Sequence, residues 1–323
     1  MASRRRPKGL VVTATPTLEE FERYAESYVP FPWEIVDANV LQPADVKGKH
    51  SVLVSLFRFW KVITAVGKYC PDFKVIVDVG PYPGAMLKLL RNYFCHDFSY
   101  WGIGLGLFED YRKGMANLGG ECFETELDPR FPDAAPVRDW PIHDVDCVLL
   151  LDVIEHLVDP VPCLDSINRA LRMGGMLILT TDNLTSFANT YQMMRRGHSP
   201  NIHPLRSSMF YRGEWRPHFR EFSASELTFF LKYAGFSVID HEYFDRRQGD
   251  YYCDADGRVK IHERYRGLKG LVQRSVLRVA PHLKDHQLVV ARKDAEFDAA
   301  ANTRVKPTTS KAEWLAILSD AGL

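Results

Sequence analysis

The chain lacks several features that would place it in a specialised class of protein. Its apolar runs are too short to span a bilayer, and its first residues lack the apolar stretch of a secretory signal. None of its six cysteines forms a C-x-x-C pair, so we expect no disulfide framework and predict no bound metal. No internal repeat or low-complexity block is visible. We therefore expect a globular protein of the cytoplasm.

Net charge is also absent, but the charges are unevenly placed. The chain balances 41 basic with 41 acidic residues and has no nucleic-acid-binding motif, so no nucleic-acid partner is expected. Residues 191–220 nevertheless hold six arginines against one acid, and residues 258–284 hold eight basic residues against one acid. Because guanidinium groups bind phosphate and carboxylate through paired donors, these segments indicate an anionic ligand.

Short apolar strands alternate with amphipathic helices over about a hundred residues, which favours an open parallel sheet with helices on both faces. Helices are predicted at the capping box Thr17-Leu-Glu-Glu20 and from Leu56 to Tyr69, and Gly174-Gly175 is predicted to end the helix before the fifth strand. The predicted strands are Val75–Val79, Tyr100–Leu105, Cys122–Leu127, Cys147–Leu151, Met176–Thr181, Phe236–Phe244 and Gln287–Arg292.

The chain divides into segments around this alternation. The predicted segments are a disordered basic tail (1–16), an N-terminal helical cap (17–70), the sheet domain (71–293) with basic inserts at 184–220 and 246–285, and a C-terminal appendage (294–323).

Two strand ends carry the most informative residues. The first strand ends in Asp78, followed by Val-Gly80-Pro-Tyr82-Pro-Gly84, a turn that lets the backbone approach a ligand and leaves helix N–H groups for an anion. The fourth strand is followed by Asp152-Val-Ile-Glu155-His156-Leu157. Side by side in a parallel sheet, these ends form a crevice for a nucleotide-like ligand.

The two motifs together resemble those of class I S-adenosylmethionine-dependent methyltransferases, closest in style to the small-molecule and ubiquinone-type O-methyltransferases. The resemblance covers about residues 75–293 and implies a Rossmann-like open sheet of about seven strands, mostly parallel with the last strand antiparallel. It implies S-adenosyl-L-methionine as the cofactor. Asp78, Gly80 and Gly84 match the family's D-x-G-x-G-x-G motif, and Tyr82 replaces its middle glycine.

The resemblance implies further cofactor-binding residues. Asp128 matches a position that often contacts adenine, with a turn before Pro129 as its structural alternative. Gly104 stands where the family usually places a ribose-binding acid, a role that Glu109 or Asp110 could take over. Tyr82 is either a ring near the sulfonium or a plain turn aromatic. The remaining candidates lie in the motif after strand four, Asp152 and Glu155.

Methyl transfer to a hydroxyl group is helped by a base that removes its proton. The candidates are His156, beside the crevice, and His218, in the segment Pro217-His-Phe-Arg-Glu-Phe-Ser223 that resembles the family's acceptor-pocket stretch. His156 has the alternative of buttressing the loop after strand four, and His218 that of an ordinary surface histidine. Glu155 positions the cofactor or the acceptor, or is a solvated acid at a helix start.

The basic segments lead to expectations about the acceptor. We expect O-methylation of a small acceptor that is anionic and phosphorylated, or linked to a saccharide or lipid. Between the basic residues of 258–284, an apolar stripe predicts an amphipathic helix that lies on an anionic membrane or, alternatively, packs on the domain. The stripe comprises Leu268, Leu271, Val272, Val276 and Val279.

Two rival functions follow from the same sequence. A methyltransferase-fold protein that has lost catalysis and serves as a binding scaffold is kept open by Gly104 and Tyr82. A nicotinamide-dependent oxidoreductase would require a glycine fingerprint that is missing after strand one. Replacing Asp78 with alanine is expected to abolish cofactor binding with little unfolding.

Overall fold

The computed structural model describes residues 15–34, 52, 55–129, 139–197, 218–245, 250–253, 259–262 and 267–297. Of the predicted segments, residues 1–14 of the tail, most of the insert 184–220 and residues 298–323 of the appendage lie outside this part. The strands are β1 (Val75–Val79), β2 (Ser99–Gly104), β3 (Gly120–Glu124), β4 (Val145–Leu151), β5 (Leu171–Asp182), β6 (Phe236–Phe244), β7 (Asp250–Cys253), β8 (Val259–His262) and β9 (His286–Lys293).

The helices alternate with the strands along the chain. They are α1 (Leu18–Glu26), α2 (Leu56–Tyr69), α3 (Ala85–Tyr93), α4 (Glu109–Ala116), α5 (Val161–Ala170), α6 (Phe187–Arg196), α7 (Ala224–Tyr233) and α8 (Gly267–Val279), with short 3₁₀ turns at Pro32–Glu34, Ile154–His156 and Pro281–Leu283. Among the described residues, no helix is long and apolar enough to cross a bilayer.

Seven strands form one sheet in the order β3-β2-β1-β4-β5-β9-β6. The pairs β1–β2, β1–β4, β2–β3 and β4–β5 are parallel, whereas β9 runs antiparallel to both neighbours. The predicted sheet, mostly parallel with an antiparallel last strand, is therefore confirmed. The hairpin β7–β8 forms a separate two-stranded sheet that the sequence did not indicate.

Helices cover both faces of the sheet, as predicted. On one face, sheet residues such as Ile76 and Leu149 pack with α1, α2 and α3. On the other, Val77 and Val148 pack with α5 and α7. Because successive strand residues point to opposite faces, the continuously apolar sequences of β1 and β4 fill both layers.

Several predicted boundaries differ from the structure, most of all around β3 and at the start of β5. β3 ends at Glu124 rather than near residue 127. The helix before strand five ends at Ala170, and Leu171 already pairs with Val145, so the prediction that Gly174-Gly175 ends this helix was wrong. Gly174 instead has a φ of +76° within the irregular start of β5. The boundary between α5 and β5 is therefore set by pairing with a neighbouring strand and not by the two glycines.

Capping boxes start α1 and α7. Thr17 and Glu20 cap α1 reciprocally, as predicted. At α7, the Ser223 hydroxyl accepts from the Glu226 backbone N–H, and the Glu226 carboxylate accepts from the Ser223 backbone N–H at 2.8 Å. These bonds satisfy helix N–H groups that otherwise have no partner within the helix.

Replacing Ser223 with alanine removes a hydroxyl that caps α7 and is expected to lower the free energy of unfolding by about 1 kcal/mol. Urea denaturation measures this loss. Ser225→Ala changes an exposed serine in the same turn and serves as the control, with an expected effect within about 0.5 kcal/mol. Equal losses in the two variants would show that the cap does not stabilise the helix.

Candidate active site

The turn after β1 depends on two glycines with positive φ. Gly80 has a φ of +69°, and a Cβ there would lie 2.5 Å from Cγ2 of Val153. Gly84, at the start of α3, has a φ of +96°, and its Cβ would meet Met115 at the same distance. Both predicted glycines are therefore required by conformation and by space. They leave bare backbone at the carboxyl end of β1, where a ligand can approach closely.

Asp78 lies at the end of β1 and is only 3% exposed. Its Oδ2 accepts a hydrogen bond from the Tyr100 hydroxyl at 2.8 Å. Burial raises the pKa of the carboxyl group to about 7, although Tyr100 and the nearby Arg58 guanidinium favour the ionised form. A carboxyl group with a pKa near 7 is suited to binding a cationic ligand group, because the nearby positive charge would lower that pKa and favour the carboxylate form.

Tyr82 is tied to the N-terminal cap and is 53% exposed. Its hydroxyl donates to the Trp33 carbonyl at 3.2 Å, and the Trp33 indole N–H donates to the Pro83 carbonyl at 3.0 Å. The Tyr82 ring also packs near Tyr111. These hydrogen bonds connect the cap to the turn after β1. Tyr82 therefore makes a structural contact, both if its ring lies near the sulfonium and if it is a plain turn residue.

Gly104 ends β2 where the resemblance expects an acid. A Cβ at Gly104 would lie 3.4 Å from the Gly80 backbone, and one at Gly102 would lie 2.9 Å from Cγ of Pro81. Gly102 thus makes room for the proline turn. Glu109 and Asp110, the predicted substitutes, are exposed in the first turn of α4, where Glu109 pairs with Lys113 at 3.1 Å.

Asp128 is fully buried in the loop after β3. Its Oδ2 accepts hydrogen bonds from the backbone N–H groups of Val158 and Asp159. The neighbouring Glu126 side chain accepts from the backbone N–H groups of Leu127 and Asp128 at 2.8 Å. Asp128 thereby anchors the loop that follows β4. Its predicted contact with adenine stays a prediction.

Asp152 follows β4 with a left-handed φ of +54°. Its carboxylate forms an ion pair with Arg58 from α2 and accepts from the Thr180 hydroxyl at 2.8 Å. The same Oδ1 lies 2.8 Å from Nε2 of His286. The predicted cofactor residue is therefore the centre of a network that joins the cap, β5 and β9.

Glu155 is 1% exposed in the 3₁₀ turn after β4. Its Oε2 accepts from the Thr181 hydroxyl at 2.8 Å, and its backbone carbonyl accepts from the Phe219 N–H at 2.8 Å. Burial, followed by the nearby charge of Asp182, raises the pKa of the carboxyl group to about 7. The alternative of a solvated acid is therefore wrong, because this side chain is buried.

The structure brings together the two predicted histidines, which are 62 residues apart in sequence. The ring centroids of His156 and His218 are 4.6 Å apart and their planes meet at 83°. Nδ1 of His218 lies 3.4 Å from Oδ2 of Asp182, the last residue of β5. A histidine whose Nδ1 faces a carboxylate has a fixed ring orientation and presents its other nitrogen to the opposite side.

Four side chains of this site were missed by sequence reasoning. Arg58 gave no signal, since it lies on an ordinary helix far from either motif. Glu221 lies three residues after His218, and its carboxylate accepts a hydrogen bond from the Asn189 side chain. Asp182 ends β5 and His286 begins β9, so their positions at strand ends are the signal that could have identified them.

The ligand nitrogen and oxygen atoms of this region could bind a metal ion as well as a proton. Glu155, His156 and His218 each offer a ligand atom, and these atoms all lie within 4.8 Å of one another. Asp182, His218 and Glu221 form a second set that meets the same limit. His218 belongs to both sets and therefore lies between them.

The predicted arginine cluster is only partly described. Arg195 and Arg196 are exposed at the end of α6. Arg220 pairs with Glu226 and lies over the Phe222 ring at 5.2 Å, so it contributes to local packing. The other three arginines lie outside the described residues, Arg206, Arg212 and Arg216.

Comparisons with known proteins agree with these motifs. Residues 56–241 match a family described as a methyltransferase domain. A probable S-adenosylmethionine-dependent methyltransferase of Mycolicibacterium smegmatis is 33% identical over 146 residues, which are 43% of this chain and 49% of that protein. The alignment thus spans about half of that relative's length.

Solved structures are more distant in sequence. A protein in complex with the Trm112 methyltransferase activator of Haloferax volcanii is 16% identical, with a TM-score of 0.46 over 74% of this chain and 92% of that chain. A SAM-dependent methyltransferase of Archaeoglobus fulgidus is 17% identical, with a TM-score of 0.43 over 75% of this chain and 98% of that chain.

Replacing Asp78 with asparagine is expected to change how stability depends on pH. The raised pKa means that, between about pH 4 and pH 7, the folded chain keeps a proton that the unfolded chain has released, so wild-type stability falls as pH rises. Asparagine still accepts from Tyr100 and carries no charge. The variant should gain a few kcal/mol over wild type at pH 8 and almost nothing at pH 4, since each pKa unit corresponds to about 1.4 kcal/mol.

Urea denaturation of both proteins at pH 4 and pH 8 measures this difference. Glu155 contributes a slope of the same sign to both proteins, so the comparison between them isolates Asp78. An identical pH dependence in the two proteins would contradict a buried Asp78 with a raised pKa.

Proposed function

Because this chain belongs to the methyltransferase-domain family, we propose that it transfers the methyl group of S-adenosyl-L-methionine to an oxygen atom of a small acceptor. The observation that carries this proposal is the pairing of His156 and His218, of which His156 lies in the turn after β4, the strand that pairs with β1. The pair offers a proton acceptor next to the place where the resemblance puts the cofactor.

The residues of the crevice fit the cofactor. Gly80 has a positive φ and no side chain, so the backbone after β1 is bare at the position where the resemblance puts the cofactor. Asp78 supplies a carboxyl group for the ammonium of the cofactor's methionine part, as the resemblance implies. When bound, S-adenosyl-L-methionine supplies an electrophilic methyl carbon on a sulfonium, whose bond to sulfur breaks as the bond to the acceptor oxygen forms.

The protein's own part is alignment and proton removal. His218 accepts the proton of the acceptor hydroxyl at its Nε2, because Asp182 holds its Nδ1. His156 stands at a right angle to this ring and confines the acceptor oxygen. Holding the acceptor in line with the methyl carbon accounts for the rest of the acceleration, through proximity.

Replacing His218 with asparagine should leave binding of S-adenosylhomocysteine unchanged and lower kcat by about 100-fold, the typical contribution of a general base. Calorimetry measures binding, and release of S-adenosylhomocysteine measures turnover with hexose phosphates and a polyprenyl-phosphate hexose as acceptors. His143→Asn, an exposed histidine before β4, is the matched control and should keep full turnover.

The outcomes separate the rival functions. Micromolar binding of S-adenosylhomocysteine together with turnover supports the enzyme. No binding at millimolar concentration would favour the catalytically inactive scaffold. Turnover that His218→Asn leaves unchanged would contradict His218 as the proton acceptor without contradicting methyl transfer.

We further propose that the acceptor is anionic or lipid-linked and is reached at an anionic membrane surface. Support comes from α6, whose sequence contains no acid and ends in Arg195 and Arg196. One stripe of this helix, at positions i, i+4 and i+7, is apolar and exposed: Phe187 at 41%, Tyr191 at 50% and Met194 at 77%. Basic helices with an exposed apolar stripe bind anionic bilayers.

The second support is α8, the predicted amphipathic helix, which also contains no acid. Leu277 is buried, so α8 packs on the domain through one face, whereas Leu271 and Val272 are each 55% exposed and Val279 is 87% exposed, which leaves much of the predicted stripe on the surface. The segments before α6 and after α8 are in contact, because the Asn183 side chain donates to the His282 carbonyl at 2.7 Å. Both helices therefore flank the edge where Asp182 and His218 lie.

Replacing Met194 with aspartate should weaken binding to vesicles of phosphatidylcholine and phosphatidylglycerol by about ten-fold, since an apolar anchor worth about 1.5 kcal/mol or more becomes an anion. Vesicle sedimentation measures the binding. Met173→Asp is the matched control, because Met173 is 52% exposed near the opposite end of β5.

Wild-type binding should also fall at 0.5 M salt and on pure phosphatidylcholine, because screening weakens attraction between exposed charges. Salt-insensitive binding, or equal losses in the two methionine variants, would contradict a membrane-facing surface on α6.

A further inference from the structure

The end of β2 has no side chain at the position where the resemblance expects a ribose-binding acid. A Cβ at Gly104 would lie 3.4 Å from the Gly80 backbone and 3.5 Å from the Pro81 ring, which are ordinary van der Waals distances. Packing would therefore tolerate a side chain here, and its absence leaves space beside the turn after β1. An acid from a neighbouring element has room to reach into this space.

The last residue of β3 is an acid, and it lies directly opposite this position. Gly104 and Glu124 are register partners in the parallel pair of β2 and β3, and the Thr125 N–H donates to the Gly104 carbonyl at 3.0 Å. Register partners in this pair project from the same face, since a Cβ at Gly102 would lie 3.8 Å from Sγ of its partner Cys122. The Glu124 side chain therefore leaves the sheet on the face against which the turn after β1 packs.

Arg112 holds the Glu124 carboxylate beside the loop after β2. The Arg112 guanidinium donates to the Leu107 carbonyl in this loop and pairs with Oε2 of Glu124. Within the part of the chain that the structure describes, no group donates to Oε1 of Glu124, and the side chain is 39% exposed. The carboxylate is thus fixed by one oxygen and can accept hydrogen bonds from a ligand through the other.

The two acids that the sequence offered as substitutes are placed less favourably. Glu109 and Asp110 are exposed in the first turn of α4, and Glu109 forms an ion pair with Lys113 at 3.1 Å. Glu124 instead ends a strand at the carboxyl edge of the sheet. Nucleotide-like ligands bind at this edge in open α/β sheets, so Glu124 is the acid that the fold brings to the place where the ribose is expected.

We propose that Glu124 binds the ribose of S-adenosyl-L-methionine through its hydroxyl groups, in place of the acid that is missing at Gly104. A carboxylate only accepts hydrogen bonds, so it suits a ligand group that donates them. Hydrogen bonds to a carboxylate are also stronger than those between neutral groups. This inference rests on the proposed methyl transfer and deepens it, because it names a cofactor-binding residue that neither motif contains.

The test compares the binding of two ligands to the full chain by calorimetry, S-adenosylhomocysteine and its 2′,3′-dideoxy analogue. Glu124→Gln keeps the size of the side chain and is expected to weaken binding of S-adenosylhomocysteine by about ten-fold, the typical effect of a hydrogen bond to a charged group. For the dideoxy analogue, the wild type and the variant should have equal affinities, because the analogue has no ribose hydroxyl to donate. Competition against S-adenosylhomocysteine measures the weaker affinities.

Glu121→Gln is the matched control, because Glu121 is an exposed acid of the same strand and should keep wild-type affinity for both ligands. Equal binding of S-adenosylhomocysteine by Glu124→Gln and the wild type, or an equal loss for both ligands, would overturn the role of Glu124 and leave the proposed function intact. No binding of S-adenosylhomocysteine by the wild type at millimolar concentration would defeat the proposed function, and this inference with it.

Discussion

One buried imidazole joins the ends of three strands. His286 begins β9, which runs antiparallel, so it lies at the same edge as the last residues of β4 and β5. Its Nδ1 is 3.0 Å from Asp182 and its Nε2 is 2.8 Å from Asp152. Asp152 in turn pairs with Arg58 of the cap, and Asp182 faces His218. Asp152, predicted to bind the cofactor, and His218, proposed as the proton acceptor, therefore share one hydrogen-bonded network, and displacement of His286 would disturb both.

Local patterns predicted those parts of the fold that local forces determine. The strand alternation, the capping box of Thr17 and the placement of Asp78 and Glu155 at strand ends all follow from short stretches of sequence. The prediction failed at Gly174, where the pairing of Leu171 with Val145 extends β5 and overrides a glycine stop. Hydrogen bonds to a distant strand are invisible in a local window, so boundaries were less predictable than elements.

The acceptor side was less predictable for the same reason. Arg58 and His286 lie far from Asp152 in sequence, and no spacing rule connects them. His218 approaches His156 because the Phe219 backbone N–H donates a hydrogen bond to the Glu155 carbonyl. This long-range hydrogen bond exists only in the folded chain. Motif resemblance located both histidines but could not show that their rings meet at a right angle.

The end of β2 packs against the turn after β1. A Cβ at Gly102 would come within 2.9 Å of the Pro81 ring, so the proline turn requires Gly102, whereas a Cβ at Gly104 would make only ordinary contact with the same ring at 3.5 Å. Packing therefore does not dictate Gly104, and the argument against a lost activity comes from the residues after β4. A degenerate scaffold would have no need to keep the buried Glu155 hydrogen-bonded to Thr181, with both histidines beside it.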